Sequence, residues 1–413
     1  MLLGKRAQVA VERALSEFRS GRPVLITSAS DAITALPVDG MTQEMLVAFR
    51  LLSRPVRPFL LVTARRARAI GVDTSDPTGI ALPDFCNAGE IFSLAAATQV
   101  SCHLELISVD ASASAAAIQL AKQAHRLPAL LIGGGNSAAV RMCEPPLVAV
   151  RAEAVAQCRR TSATAVSFAA ETTIPLSGFS ARFVVFRDGN GGTPTAVVVG
   201  SPDLTEPVLV RLHSACFTGD LFGSRSCDCG DQLRLSLMQM AQHGGGIVLY
   251  LEQEGRGLGL VNKIRAYQLQ NMGLDTVDAN SFLGFEDDER DYGIAVRMLR
   301  MLGCTRICLM TNNPSKLEEL SRAGIDVSGR VPLHGPITAD NRRYLAAKAT
   351  RSGHQLDHVF GELGGIPAIF DRKEESQRLK ISLKGRVPDQ GRARKIRGGP
   401  FSAAAHCRPR LRS

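Results

Sequence analysis

The sequence predicts a mixed α/β protein with two α/β domains, followed by a disordered basic tail. At 413 residues the chain is longer than one typical domain. Short apolar runs alternate with amphipathic segments of helical period up to about residue 365, which is typical of sheets covered by helices. Residues 366–413 are rich in Lys and Arg and poor in aromatic residues, so they are predicted to stay unfolded.

The first domain is expected to span residues 1–175. A helix over about residues 5–19 leads into the strand PVLITS, and the helical segments TQEMLVAFRLLS and AAAIQLAKQAH lead into the strands PFLLVTA and ALLIGGG. Charges are scattered through the first helix, which therefore does not resemble a signal peptide. The three glycines at 133–135 predict a tight turn at a strand end, because no dinucleotide or P-loop pattern follows them.

The second domain is expected to span residues 176–365. The segments FSARFVVFRD and PTAVVVGSP flank DGNGG and so predict a β-hairpin. The strands VLVRLHS, GIVLYLE and RICLMTN are predicted to alternate with four helices in QLRLSLMQMAQH, KIRAYQLQNMG, YGIAVRMLRMLG and SKLEELSRAG. No apolar run reaches the roughly 20 residues of a membrane span, so we expect a cytoplasmic protein without membrane contact.

The net charge of +10 belongs to the tail. Residues 372–413 contain thirteen Lys or Arg against three Asp or Glu, which equals the net charge of the whole chain. The rest of the chain is therefore close to neutral. A solvated tail with weak attraction to polyanions explains this pattern better than specific contact with nucleic acid.

Three cysteines, Cys216, Cys227 and Cys229, lie within fourteen positions. Ten cysteines are too few for a disulfide scaffold, and a C-x-C pair is strained as a disulfide. Three thiolates on one Zn²⁺ would leave the fourth tetrahedral position free for water, as in a catalytic site. His213 and Asp228 are near enough in sequence to close the site instead. The spacing favours a metal, and leaves open a structural zinc or inert buried cysteines.

Three other segments place polar groups after predicted strands or before a predicted helix. EGRGLGL (254–260) is a glycine-rich turn between a strand and a helix, which can present N–H groups to an anion. FEDDERDYG (285–293) holds five acids and one arginine. It is either a solvated turn that caps a helix, or it supplies a carboxylate that orients or deprotonates an arginine or a water beside a substrate. TNNPSK (311–316) follows a strand at the position where α/β proteins bind ligands.

Together these segments resemble GTP cyclohydrolase II, the family that catalyses the first step of riboflavin biosynthesis. RLHSACFTGD, CDCGDQL, EQEGRGLGLVNKIRAY, LGFEDDERD and MTNNPSK occur here in the family's order, and the resemblance covers residues from about 180 to 358. It implies that GTP is hydrolysed to 2,5-diamino-6-ribosylamino-pyrimidinone 5'-phosphate, formate and pyrophosphate.

The resemblance also implies a role for each matching residue. Cys216, Cys227 and Cys229 would hold one catalytic Zn²⁺ per subunit, which activates water for attack at C8 of guanine. Mg²⁺ would accompany the triphosphate and the leaving pyrophosphate.

The residues implied in the chemistry lie in two of the motifs. Arg290 would attack the α-phosphate, Asp288 would accept its proton, and Tyr267 would assist ring opening. The residues implied in GTP binding are Arg211, Leu212, His213, Ser214, Ala215, Gln232, Glu254, Gly255, Arg256, Thr276, Thr311 and Lys316.

The chain departs from the family pattern at two positions. Ala215 stands where the family usually has Glu, so one contact with the ligand is missing. Ser226 stands where a basic residue is usual, with Arg225 one position earlier. A one-residue shift reverses the direction of a side chain in a strand, so substrate affinity and product profile are expected to respond to these changes.

Residues 1–175 faintly resemble dihydroxybutanone phosphate synthase, which is often fused in front of the cyclohydrolase. That family carries an acidic Mg²⁺-binding loop where this chain has SASDAITALPVDG. A hard cation needs several oxygen ligands, and Asp31 alone does not supply them. The resemblance therefore implies an inactive relative, retained for packing, dimerisation or regulation.

Two alternatives stay open. One is a related cyclohydrolase of another pathway, or one that stops at GMP. The other is a GTP-sensing or nucleic-acid-binding pseudoenzyme with a structural zinc, against which the intact Tyr267, Asp288 and Arg290 argue. For the assembly we expect a homodimer, since closed dimers are the commonest soluble oligomers.

Overall fold

Two seven-stranded sheets, each covered by helices, make up the described part of the protein. The computed structural model describes residues 4–98, 100, 104–161, 165–189 and 191–351, all within one compact unit of residues 1–366. The mixed α/β fold expected from the sequence is confirmed. The basic tail predicted over residues 366–413 lies outside the described residues. No helix in the described ranges is long and apolar enough to cross a membrane.

The first sheet and its helices are built from residues 6–161, called here the N-terminal part of the chain. Its strands are β1 (Val24–Thr27), β2 (Ala32–Pro37), β3 (Phe59–Val62), β4 (Thr78–Ala81), β5 (Leu106–Ile107), β6 (Ala129–Gly134) and β7 (Val148–Arg151). Its helices are α1 (Arg6–Arg19), α2 (Gln43–Leu52), α3 (Ala64–Ala69), α4 (Ala88–Ala96), α5 (Ala111–Gln123), α6 (Ala138–Arg141) and α7 (Ala152–Thr161). The strand order is β5-β4-β3-β6-β2-β1-β7, antiparallel except between β1 and β7.

Of the three glycines predicted to form a turn at a strand end, Gly133 and Gly134 are the last residues of β6, and Gly135 lies in the bend that follows it. These glycines allow close approach of neighbouring segments. A Cβ at Gly133 would lie 2.0 Å from the Ser53 Oγ, and one at Gly135 would lie 2.5 Å from the carbonyl carbon of Ala32. Any side chain there would collide with the end of α2 or with the start of β2.

The second sheet lies in the C-terminal part. Its strands are β8 (Ser167–Leu176), β9 (Phe179–Arg187), β10 (Thr195–Gly200), β11 (Val208–Ser214), β12 (Gly245–Leu251), β13 (Arg306–Met310) and β14 (Asp326–Val331). The order is β14-β13-β11-β12-β10-β9-β8, parallel from β14 to β12 and antiparallel from β12 to β8. The predicted hairpin is confirmed as β9–β10. Strand β8 begins inside the range assigned to the first domain, and the two-domain division stays a prediction.

Six helices cover or border the second sheet. They are α8 (Cys229–Gln242), α9 (Leu260–Asn271), α10 (Thr276–Phe282), α11 (Gly293–Met301), α12 (Pro314–Arg322) and α13 (Arg342–Arg351). Leu299 of α11 and Leu320 of α12 belong to the core on one face, and Met240 of α8 belongs to the core on the other. Helices α9 and α10 instead contribute Leu269 and Ala279 to a core cluster of the first sheet, so the two sheets share apolar packing.

Candidate active site

The candidate site lies where β11, β12 and β13 end side by side. These three strands are parallel, so the segments that follow them converge at one edge of the sheet. A cavity at this edge is lined by all three cysteines of the cluster, by Tyr267 and by Arg290. Eleven of the twelve residues expected to bind GTP also line it: Arg211, His213, Ser214, Ala215, Gln232, Glu254, Gly255, Arg256, Thr276, Thr311 and Lys316.

Two expected site residues do not line this cavity. The side chain of Leu212 is buried in the core, and its carbonyl accepts a hydrogen bond from the Lys316 Nζ at 3.0 Å. Asp288 reaches the cavity only through Arg290, to which it is paired.

The three cysteines form a compact cluster without a disulfide. Their sulfur atoms all lie within 4.8 Å of one another, and the Sγ atoms of Cys216 and Cys227 are 3.7 Å apart. Cys216 and Cys227 are 4% and 5% exposed. Cys216 lies two residues after the end of β11, and Cys229 begins α8, so the ends of a strand and a helix position two of the three sulfurs.

Asp220 holds the loop that leads out of Cys216. Its carboxylate accepts a hydrogen bond from the Cys216 backbone N–H at 2.9 Å and one from the Tyr250 hydroxyl at 3.0 Å. The Nε2 of His213 lies 3.1 Å from the same carboxylate, and its ring stacks on Tyr250. This buried network fixes the direction of the first cysteine.

Neither residue considered as a fourth metal ligand joins the cluster. The Nε2 of His213 is engaged with Asp220, and Asp228 pairs with the Lys348 Nζ at 2.9 Å. Among the described residues, the only group of three or more His, Cys, Asp or Glu with metal-ligand geometry is the three cysteines. As a metal centre, the cluster would offer three protein ligands and leave one position for a non-protein ligand.

The cluster fits a metal ion on two grounds. A Cβ on Gly219 would lie 2.9 Å from the Cys216 Sγ and 3.0 Å from the Cys227 Sγ, so only glycine leaves this space open. Hydrogen bonds from Cys227 and Cys229 hold the pKa of Cys216 below its usual range, while contact with Cys216 raises the pKa of both neighbours. Three thiolates need a divalent cation among them to ionise together.

Lys263 is a buried cation beside the cluster. Its Nζ lies 3.0 Å from the Cys216 Sγ and 2.6 Å from the Glu254 Oε1. Burial alone would lower the pKa of Lys263, but hydrogen bonds to Cys216 and Glu254 outweigh it and raise the pKa. The ammonium group also lies 5.6 Å from the ring centroid of Tyr267. Lys263 therefore joins the cysteine cluster to the glycine-rich turn.

Arg290 and Asp288 form a bidentate ion pair at the other side of the cavity. The Arg290 Nε donates to the Asp288 Oδ1 at 2.7 Å, and Nη2 donates to Oδ2. Burial alone would raise the pKa of Asp288, but the hydrogen bond from Arg290 outweighs it and lowers the pKa. Burial also opposes the charge on Arg290, yet Tyr292 and Asp288 raise the pKa of the guanidinium. The loop thus holds a carboxylate against an arginine, as the sharper sequence hypothesis expected.

Two buried basic residues, Arg211 and Lys316, line the same cavity as the cysteine cluster and Arg290. The Arg211 guanidinium donates to the Met310 carbonyl at 2.9 Å and to the Gln232 Oε1 at 2.5 Å. Burial, reinforced by Arg290 and Arg211, lowers the pKa of Lys316 well below its usual range. This crowding of positive charge favours the uncharged form of Lys316, and an anion bound in the cavity would favour its charged form.

The glycine-rich turn is wound tightly before α9. Gly255, Arg256 and Gly257 all have positive φ, which is strained for Arg256 at +62°. The backbone N–H groups of Gly257 and Gly259 bond to carbonyls within the turn, so these two do not face an anion. The side chain of Arg256 lines the cavity, so it supplies the charge expected there.

Comparison with known proteins identifies the family. A family model described as GTP cyclohydrolase II matches residues 167–332. A GTP cyclohydrolase-2 from Azospirillum brasilense is 42% identical over 370 residues, which cover 86% of this chain and 96% of that protein. The chain belongs to the GTP cyclohydrolase II family.

Other relatives of the GTP cyclohydrolase II family differ in length. A GTP cyclohydrolase-2 from Azotobacter vinelandii is 50% identical over 192 residues, 46% of this chain and 92% of that protein. A solved two-domain 3,4-dihydroxy-2-butanone 4-phosphate synthase from A. baumannii covers 79% of this chain and 99% of its own, at 14% identity and a TM-score of 0.29. That structural likeness is too low to support an argument, and the reading of residues 1–175 stays a prediction.

Of the two positions that depart from the GTP cyclohydrolase II pattern, one lines the cavity and the other does not. Ala215 lines it, and its backbone N–H donates to the Leu251 carbonyl at 2.8 Å. Arg225 instead pairs with Asp340 at 2.8 Å on the surface, and neither Arg225 nor Ser226 lines the cavity. Arg225 therefore does not replace the missing basic residue in this conformation.

Sequence reasoning missed three cavity residues with charge or a hydroxyl group. Lys263 lies in the motif NKIRAY, on helix α9. The sequence of a helix does not show which of its residues face a cavity until the elements packed against the helix are known. Tyr344 and Lys348 come from α13, which no motif marked and which lies beyond the region matched by the GTP cyclohydrolase II model. The sequence signal for α13 was weak because its apolar residues are mainly alanine.

Proposed function

We propose that the chain hydrolyses GTP to 2,5-diamino-6-ribosylamino-pyrimidinone 5'-phosphate, formate and pyrophosphate, as a GTP cyclohydrolase II of riboflavin biosynthesis. The observation that carries this proposal is the cavity itself. It unites a three-cysteine cluster, an arginine paired with a carboxylate, and buried cations suited to a triphosphate. The first two groups would act on different bonds of GTP, and the cations would bind its phosphates.

Cys216, Cys227 and Cys229 would hold Zn²⁺, one ion per subunit. Thiolate sulfur suits zinc, and the absence of a side chain at Gly219 keeps the sulfurs of Cys216 and Cys227 uncrowded. When bound, the ion supplies an activated water for opening the imidazole ring at C8. Tyr267 lies beside this centre, and burial raises its pKa, so its hydroxyl keeps its proton and can donate a hydrogen bond to the substrate.

Arg290 and Asp288 would act on the triphosphate. As a guanidinium nitrogen of Arg290 forms a bond to the α-phosphorus, its proton passes to the Asp288 carboxylate and the α–β phosphoanhydride bond breaks, which releases pyrophosphate. Water then cleaves the P–N bond and restores the arginine. Because Asp288 raises the pKa of Arg290, the proton leaves only as the new bond forms.

Arg211, Arg256 and Lys316 would balance the charge of the triphosphate, with Mg²⁺ accompanying its outer phosphates. Gln232 and Thr276 offer uncharged hydrogen-bonding groups at the same cavity. Leu212 would act only indirectly, because its carbonyl holds Lys316.

Three further proposals concern the chain as a whole. Residues 1–175 would form a domain without synthase activity, followed by the cyclohydrolase domain over 176–365 and a basic tail over 366–413. The active form would be a homodimer. Light scattering of the purified protein tests the dimer, since a monomeric mass at micromolar concentration is the result that excludes it.

Steady-state assays on protein supplied with Zn²⁺ and Mg²⁺ test the proposed function. Formate, pyrophosphate and the absorbance of the pyrimidinone are followed together with GTP as substrate. We expect all three products in equal amounts. Pyrophosphate with GMP and no formate would favour an enzyme that stops at GMP. Tight GTP binding with no product would favour a pseudoenzyme.

A further inference from the structure

The loop of residues 284–291, called here the arginine loop, packs against the N-terminal part of the chain. Lys122 of α5 lies 2.5 Å from the Glu289 Oε1, and these side chains are only 15% and 9% exposed. Glu289 lies between Asp288 and Arg290 in the sequence. Lys122, Glu289 and Arg290 also line one open groove. A cation of the N-terminal part therefore holds the side chain that precedes the proposed nucleophile in the sequence.

A second cation of the N-terminal part binds the start of the arginine loop. The Arg65 Nε donates to the Glu286 Oε2 at 2.6 Å, and its Nη1 donates to the Asp287 Oδ1 at 2.9 Å. With Lys122 on Glu289, three of the four consecutive acids before Arg290 have a cationic partner from the N-terminal part. The fourth, Asp288, is the partner of Arg290.

Backbone contacts fix the same loop in place. The Thr63 hydroxyl donates to the Gly284 carbonyl at 2.9 Å, and the buried Arg66 donates to the Phe282 carbonyl at 3.0 Å. Gly284 has a φ of +83°, and a Cβ there would lie 2.8 Å from the Thr63 Oγ1. The fit is close enough that the loop and helix α3 cannot move independently.

We propose that Lys122 is a positioning residue for Arg290, and that the N-terminal part serves the cyclohydrolase site by neutralising the acids around that arginine. This inference rests on the proposed function. Glu289 is a nearly buried carboxylate whose Oε1 also accepts a hydrogen bond from the Glu286 backbone N–H at 2.9 Å. That bond does not neutralise its charge, so without Lys122 the carboxylate would need another cation. Arg290 is the adjacent cation, so Glu289 would compete with Asp288 for its guanidinium. Lys122 removes this competition and leaves Arg290 paired with Asp288 alone.

The inference gives the N-terminal part a function that needs no chemistry of its own. Its contribution is a rigid surface with two cations at fixed positions, which an inactive relative of another enzyme can provide. It also predicts which step is affected. Lys122 does not line the cavity that holds the cysteine cluster and Lys263, so we expect metal binding to be independent of it.

Single-turnover release of pyrophosphate from GTP tests the inference in the full-length, zinc-loaded protein. In Lys122→Met we expect the rate to fall about ten- to a hundredfold, because a small misplacement of a reacting group slows a reaction by this order. The KM for GTP and the zinc content should stay near those of the wild type. Lys122→Arg retains the charge and keeps most of the rate. The double variant Lys122→Met/Glu289→Gln removes the competing carboxylate as well and recovers the rate.

The matched control is Arg57→Met, which removes an 81%-exposed cation of the N-terminal part and leaves the rate unchanged. A wild-type rate in Lys122→Met overturns the inference, and so does a double variant as slow as the single one. If Lys122→Met does not fold, Lys122→Gln replaces it with the same expected outcomes. Failure of the wild type to turn over GTP is a separate result, which would refute the proposed function itself.

Discussion

Lys263 shows what individual residues add to the motif. The spacing of three cysteines predicts a metal cluster, and the structure brings their sulfurs together. The spacing does not predict that a buried ammonium group lies 3.0 Å from the Cys216 Sγ, because that contact joins two elements 47 positions apart. Gly219 is similar, since its role depends on the space between two sulfurs. The cysteine cluster could be predicted because its members are close in the sequence. The residues that surround it in space, such as Lys263 and Gly219, could not.

Replacement of Lys263 by methionine should weaken metal binding. The ammonium group balances the charge of the Cys216 thiolate, so its loss is expected to lower zinc affinity about ten- to a hundredfold, as is typical of groups that support metal ligands. Competition with a chromophoric chelator measures this affinity without reference to activity. Arg234→Met, which removes an exposed cation from α8, is the control. Equal affinities for the Lys263 variant and the wild type would refute this role.

At the scale of elements, helix α13 forms part of the cavity wall, although no sequence motif marks it. Lys348 pairs with Asp228, which stands between two cysteines of the cluster, and Tyr344 lines the cavity. Arg351 pairs with Asp275, the N-cap of the helix that begins with Thr276. Helix α13 therefore supports both the metal loop and the opposite wall.

Lys348→Met should destabilise the protein strongly. Asp228 is 3% exposed, and removal of Lys348 leaves a buried carboxylate that has lost its direct ion-pair partner and keeps the hydrogen bond from the Gln232 amide and the more remote charge of Arg211. Breaking such a pair costs about 3–5 kcal/mol. The free energy of unfolding in urea measures the loss. Arg343→Met, on the exposed face of the same helix, should change it little. Similar effects of the two variants would mean that the Lys348–Asp228 pair is not important for stability.

The elements that sequence reasoning predicted correctly have strong periodicity. The hairpin around DGNGG, the strands that end at the site and the long helices of both halves all fall in this class. The missed elements have weak or misleading patterns. Strand β2 lies in a segment that was read as a degenerate acidic loop, and nearly all of β8 is exposed, so it shows no alternation of apolar residues. Their pairing with neighbouring strands decides their structure.

At the scale of the whole molecule, the two sheets are joined by a common core. Phe285 and Leu269 from the second half pack with Leu60 and Ile80 of the first sheet. The sequence predicts two α/β units, yet it does not reveal this shared cluster, because long-range packing leaves no periodic signal. The arginine loop owes its position to this packing as much as to its own sequence.

The shared core predicts that both halves unfold together. Cys86 and Cys304 are buried thiols in the first and second halves, so their reactivity reports unfolding of each half. We expect both to react at the same urea concentration, and Phe285→Ala to lower both midpoints together, at a cost of about 3–5 kcal/mol. Thiol labelling followed by mass spectrometry measures the two midpoints. Two separate midpoints in the wild type would show that the halves are independent.

The division of chemistry between the cysteine cluster and the Arg290–Asp288 pair is tested most directly by measuring formate and pyrophosphate together in a single turnover of GTP. Wild-type protein, Cys227→Ser and Arg290→Lys are compared at equal concentration, with zinc content determined for each. We predict that the wild type releases both products, that Cys227→Ser loses zinc and formate, and that Arg290→Lys keeps its zinc and loses pyrophosphate. Formate from Cys227→Ser at the wild-type rate, or pyrophosphate from Arg290→Lys at that rate, would contradict this assignment.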